Sequence, residues 1–198
     1  MTTIRQSSTR AEYGFTMLEV LVTILILAFG LLGVAGLQAR TQLAEMEAYQ
    51  RAQAIVLLQD MVDRINANRK NAALYVTASP RGTGNPVEDC IGAGYTGHQR
   101  DLCEWSNALL GAAEKTSGGT SVGAMIGARG CITNPVTTMP REFVVSVVWQ
   151  GITPIVAPLS TTCGQGLYGN EQTRRAIILR VKIGCLQNDP STGLCVTP

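Results

Sequence analysis

The spacing richest in chemistry lies near the N-terminus, in Gly14-Phe15-Thr16-Met17-Leu18-Glu19-Val20. A glycine closes a polar leader, an aromatic residue opens an apolar run, and one carboxylate follows Phe15 by about one helical turn. A carboxylate in a membrane helix costs up to about 2.5 to 3.5 kcal/mol at the bilayer centre and less near the interface. Glu19 therefore calls for a partner or a task, or else snorkels to the interface with no role.

The second set is six cysteines, Cys90, Cys103, Cys131, Cys163, Cys185 and Cys195. No C-x-x-C pair occurs and His98 is the one histidine, so a zinc site has no support and no metal is expected. An even count in a loop-rich region points to disulfides and an oxidising compartment; six buried, reduced thiols are the alternative. Cys185 and Cys195 bracket the turn-rich Asn188, Asp189, Pro190 and Gly193, and are the first expected pair. Cys90 with Cys103 and Cys131 with Cys163 complete one choice among the 15 pairings open to six cysteines.

Other matches lack their context. Gly92-Ala93-Gly94-Tyr95-Thr96-Gly97 satisfies G-x-G-x-x-G, but no buried strand precedes it. Gly119-Thr120-Ser121-Val122-Gly123 satisfies G-x-S-x-G, yet follows a Gly/Ser run and has no histidine after it. His98 reads as a solvated loop residue. No catalytic residue, cofactor or nucleotide site is expected, so the chain does not read as an enzyme. Charged residues make up 15% and the net charge is +2, which leaves no broad basic face for nucleic acid.

The elements that position these residues begin with Phe15 to Leu37, where Glu19 is the only charge. As a helix this run reaches roughly 35 Å, enough for a hydrocarbon core of about 30 Å. Arg5 and Arg10 precede it, so the positive-inside rule puts residues 1–14 in the cytoplasm and the C-terminal bulk outside. Leu37-Gln38-Ala39 is a poor secretory cleavage site behind an apolar stretch too long for such a signal. Gly30, Gly33 and Gly36 suggest close helix packing, local melting, or a tolerated run of small membrane residues.

An amphipathic continuation is expected over residues 38–68, its apolar stripe formed by Leu43, Met46, Ile55, Leu58, Met61, Val62 and Ile65. The whole rod would measure roughly 80 Å. Residues 71–100 read as a long connection, and Asp101 to Glu114 as a short helix capped through Asp101 and Glu104, with Leu102, Trp105 and Leu109 on one face. Glu142 to Gln150 and Arg174 to Ile183 alternate as strands; Met125 to Thr133 and Ile152 to Ala157 are weaker candidates. An antiparallel sheet packed on the exposed half of the helix would cover both apolar faces within a head of residues 69–198.

The segment Gly14 to Val20 resembles the class III signal of type IV prepilins and type II secretion pseudopilins. The resemblance implies an α+β, ladle-like pilin fold, with a long N-terminal helix on a small antiparallel sheet with disulfide-bridged loops. It implies cleavage after Gly14 by prepilin peptidase, N-methylation of Phe15, and an apolar helix that survives maturation. Glu19 of one subunit would then meet the freed amine of another in a staggered stack. Met17 to Val22, Ala28 to Gln38, Arg51 to Ala54, Asp60 to Asn68 and the Trp105 region are similar to the PilV-like minor pilins. That branch implies other minor pilins and the major pilin as partners through the N-terminal helix, together with an inner-membrane assembly platform and a tip adhesin. It also implies residence in the inner membrane and then near the pilus tip. A secretion pseudopilin of the I class, a major pilin and a signal-anchored periplasmic protein are the competing readings.

Overall fold

The structure, a computed structural model, describes residues 14–111, 117, 125–138, 141–188 and 195–197. The leader residues 1–13 and the G-x-S-x-G stretch lie outside them. The chain divides into two compact units, residues 1–44 and 45–198, and helix α1 (Met17–Ala67) contributes to both.

In the first unit the helix starts where the sequence supplies a cap. Thr16 precedes it, and the backbone N–H of Glu19 donates to Thr16 O (3.0 Å) and Thr16 Oγ1 (3.3 Å). The hydroxyls of Thr23 and Thr41 donate to the carbonyls of Val20 (2.8 Å) and Leu37 (2.7 Å), so both are satisfied within the helix. All of residues 14–44 are exposed. The helix is long and apolar enough to cross a membrane. A Cβ at Gly30, Gly33 or Gly36 would meet nothing within 4 Å, so packing within the described residues does not require these glycines.

The second unit is built on the remaining part of α1. Its buried residues are Gln50, Ala54, Leu57, Leu58, Met61, Val62 and Ile65, at spacings of three and four. The expected stripe is corrected at three places: Met46 (55% exposed) and Ile55 (37% exposed) face outward, and Leu43 falls in the first unit. The true face drifts through the polar Gln50 and the small Ala54, which an apolar count passes over.

The expected open connection over 71–100 is also corrected. A 3-10 turn (Arg69–Tyr75) inserts Ala72 and Tyr75 fully into the core, and a two-residue strand, β1 (Arg81–Gly82), follows. Helix α2 is His98–Leu109, starting three residues before the expected Asp101; residues 112–114 of the helix expected to reach Glu114 lie outside the described residues. Gly97 holds its N-cap position, and Asp101 and Glu104 are engaged elsewhere.

Strands β2 (Ile126–Val136), β3 (Arg141–Gln150) and β4 (Arg174–Ile183) complete an antiparallel sheet of order β1-β2-β3-β4. The β3–β4 ladder runs without interruption from Arg141 opposite Ile183 to Gln150 opposite Arg174. Phe143, Val145, Val147 and Trp149 form the buried face of β3, and Val181 and Ile183 that of β4. Leu179, expected beside them, is exposed. Gln187–Asn188 (β5) and Cys195–Thr197 (β6) pair separately.

The core closes around Trp105, which is fully buried and donates its indole Nε1–H to Leu57 O at 2.9 Å. Gly130 of β2 lies against the indole, and a Cβ there would come within 2.6 Å of Cζ2. The sheet thus approaches α2 only because position 130 carries no side chain. The second unit is thus a helix packed on a small antiparallel sheet, with the Cys90–Cys103 and Cys131–Cys163 disulfides tying its loops down.

Residues Ile152 to Ala157 do not form the strand expected of them. The amides of Ile152 and Thr153 instead donate to Glu47 Oε1, each at 3.2 Å, and Ile155 N–H donates to Gln172 O (2.8 Å). With Pro154 and Pro158 unable to donate, a carboxylate and a neighbouring loop replace the ladder.

Candidate functional site

Gly14 and Phe15 stand just before α1, outside regular structure, and the Phe15 side chain is 77% exposed. The bond between them is therefore open to a protease that binds an extended chain. Glu19 lies in the first helical turn, and its exposed carboxylate makes no hydrogen bond or ion pair among the described residues. A negative charge there is favoured by the helix dipole, by about 0.3 to 1 kcal/mol at an exposed site. The structure thus brings Gly14, Phe15 and Glu19 into one exposed segment of six residues. Thr16 is the member that the sequence reading missed, although Thr16-x-x-Glu19 has capping-box spacing.

The six cysteines belong to the second unit. Cys90 is bonded to Cys103 (S–S 1.98 Å) and Cys131 to Cys163 (2.03 Å), the same two pairs chosen from the sequence. Cys185 is also disulfide-bonded, and the side chain of Cys195 lies outside the described residues. The first bond ties the loop before α2 to the helix itself; the second ties β2 to the loop before β4. His98 is not a solvated loop residue: it begins α2, half-buried, with its ring edge-on to Tyr75 at 6.1 Å. No cluster of three potential metal ligands occurs among the described residues. The amides of Ile91 and Gly92 donate to Asp89 in a tight turn, and no strand leads directly into the G-x-G-x-x-G stretch, since residues 83–91 form turns and irregular backbone.

Two charged groups, Arg64 and Glu47, hold α1 to the rest of the second unit. Arg64 binds Asp60 on its own helix (3.0 Å) and Asp101 (3.1 Å) and Glu104 (2.7 Å) on α2. Tyr75 donates its hydroxyl to Asp101; burial first, then this bond, push its phenol up to about 12. Glu47 accepts from Arg175 (3.1 Å) as well as from the 152–153 amides. Buried Arg174 donates to Glu171 and to the carbonyls of Pro158, Thr161 and Cys163, which shapes the loop before β4. These are structural ties, each fully paired.

They carry a pH dependence. Hydrogen bonds from Arg64 and then Arg100 hold the Glu104 carboxyl below its ordinary value of 4.5. Burial pushes Glu47 upward, but its bonds to Thr153 and the Arg175 charge outweigh this and leave it lowered too. A carboxyl depressed in the folded state contributes stability that is complete above its unfolded value and lost as pH falls through the folded one. The urea midpoint should therefore hold steady down to about pH 5 and decline below it, with Glu104→Gln giving a shallower decline. Equal acid slopes for the two proteins would refute the assignment.

Residues 9–35 match the prokaryotic N-terminal methylation motif, and residues 36–103 match the family described as type IV pilin Tt1218. No curated protein and no solved structure matches the chain. The two matches support the reading of the chain as a type IV pilin. The methylation motif supports processing by prepilin peptidase and, with the apolar helix, membrane anchoring.

Proposed function

We propose that the chain is a minor type IV pilin of the PilV-like branch, cut after Gly14 and N-methylated on Phe15. It joins other minor pilins to prime or cap the pilus. The carrying observation is the Glu19 carboxylate, which has no hydrogen bond or ion pair among the described residues and stands within the methylation-motif match, in the first turn of α1, whose apolar part up to residue 44 is exposed throughout. A helix of that kind is costly in water and useful in a bilayer or a bundle of like helices. Residues 15–37 serve as the membrane and filament-core segment, 38–68 as its amphipathic continuation, and 69–198 as the head. On this reading the N-terminus faces the cytoplasm and the head lies in the periplasm, an oxidising compartment that suits its disulfides. Partners on this reading are the other minor pilins, the major pilin, the peptidase, the assembly platform and a tip adhesin.

N-terminal mass spectrometry of the membrane-extracted protein tests the processing step. N-methylated Phe15 is the expected terminus, and an intact Met1 or a start at Thr41 would overturn it. Gene deletion then separates the branches: lost surface pili and twitching support a pilus subunit, whereas lost exoprotein secretion with normal pili supports the pseudopilin. A subunit that dominates sheared filaments would be a major pilin instead.

A further inference from the structure

The second unit contains a cavity of about 340 Å³ between β1 and α2 for which filament assembly has no use. Arg81, Glu88, Tyr95, His98 and Gln99 line its polar side. Leu74 and Val76, both partly exposed, form an apolar wall.

The backbone under these side chains is already ordered. Arg81 pairs with Gly130 in the sheet, and the next residue, Gly82, donates its N–H to Ser106 of α2 (3.1 Å). Glu88 is clamped through its main chain by Asn107, which accepts its N–H (3.1 Å) and donates to its carbonyl (2.7 Å). Two residues later the Cys90–Cys103 bond fixes the same loop to α2. His98 is held by its ring contact with Tyr75. A ligand would meet a rim that needs little ordering, which favours affinity.

The side chains themselves are unused. Among the described residues, those of Arg81, Glu88, Tyr95 and Gln99 make no hydrogen bond or ion pair. Arg81 Nε is buried without an acceptor, which is costly for a charged group and asks for a partner. Arg81 and Glu88 line one cavity without pairing to each other, so a ligand that satisfies both must offer an anion and several hydroxyl donors. A phosphate or acetate alone would leave Glu88 opposing it.

We propose that this cavity binds a uronic acid residue, a pyranose carrying one carboxylate. Its carboxylate takes the planar fork of Arg81 in a bidentate pair. Ring hydroxyls donate to Glu88 and exchange hydrogen bonds with Gln99 and His98, while the C–H face of the sugar covers Tyr95. The volume falls at the small end of ordinary ligand pockets, which suits one sugar ring rather than several. The same chemistry comes from a free monosaccharide or from one unit of an acidic polysaccharide.

The test is calorimetric titration of the full chain in a sugar-free detergent with glucuronate, glucose, acetate and a glucuronate tetramer. Glucuronate should bind saturably, with glucose and acetate at least about tenfold weaker, since each lacks one half of the recognised chemistry. Arg81→Ala should weaken glucuronate at least about tenfold, with Arg81→Lys restoring little because ammonium lacks the fork. Tyr95→Leu, in a loop outside the sheet, should also weaken it and guards against an Arg81 variant that fails to fold. Tighter binding of the tetramer assigns the source to a polysaccharide, and equal binding to the free sugar. Absence of saturable glucuronate binding overturns the proposal, as does acetate binding equally well or Tyr95→Leu and Arg81→Ala both binding like the unaltered chain.

Discussion

Glu19→Gln is expected to leave cleavage after Gly14 and methylation of Phe15 intact while lowering the subunit's content in sheared filaments at least about tenfold. The change keeps size and hydrogen-bonding shape and removes only the charge. A tenfold loss corresponds to about 1.4 kcal/mol, a small demand on an ion pair that forms away from bulk water, where breaking a buried pair costs about 3 to 5 kcal/mol. The competing account gives Glu19 only a local duty beside Thr16 at the start of α1. Glu19→Asp distinguishes the two. Aspartate serves a helix start as well as glutamate does, yet its side chain is one methylene shorter and reaches a neighbouring chain's amine less well. Filament content restored by aspartate would favour the local duty, and an unchanged Glu19→Gln protein would end the assembly role altogether.

The second large effect is expected at Trp105. Trp105→Ala should destabilise the second unit by about 3 to 5 kcal/mol, the usual range for emptying a large aromatic site. The indole is fully buried, packs under Gly130, and bonds to Leu57 O of α1, so it joins α2, β2 and α1 at one point. Trp105→Phe should cost less, because most apolar contact survives and the Leu57 carbonyl lies in a helix where a backbone donor remains available. Urea unfolding of the full chain in detergent, followed by far-UV circular dichroism, reads both changes. A loss below about 1 kcal/mol for alanine would mean that the site collapses around the void.

The outward position of Ile55 shows why the helix was legible only in outline. Periodicity located α1 and most of its buried residues, because a helix repeats every 3.6 residues whatever it packs against. It could not tell that Gln50 and Ala54 continue the buried face, since that depends on where the sheet lies. The strands β3 and β4 were readable for the same local reason, and Ile152 to Ala157 was not. Its amides are taken by Glu47, more than 100 residues away, so apolar content misled. Asp101 and Glu104 gave a capping-box spacing and proved to be the carboxylates that meet Arg64, 37 and 40 residues earlier in the chain.

The chain's own sequence determined the N-terminal segment: its glycine, its aromatic, the acid a turn later, and a helix apolar enough for a membrane. Those features act through adjacent residues, and no fold is needed to place them. Tertiary structure decided how the second unit is held together and what it offers to a ligand. Arg64 finds α2, Glu47 finds Arg175 at a separation of 128 residues, and Arg81 comes to face Glu88 and Tyr95 only after β1 pairs with β2 and the Cys90–Cys103 bond closes. The physical reason is that a charge or an aromatic ring is defined by its own atoms, whereas its partner is defined by the path of the chain between them.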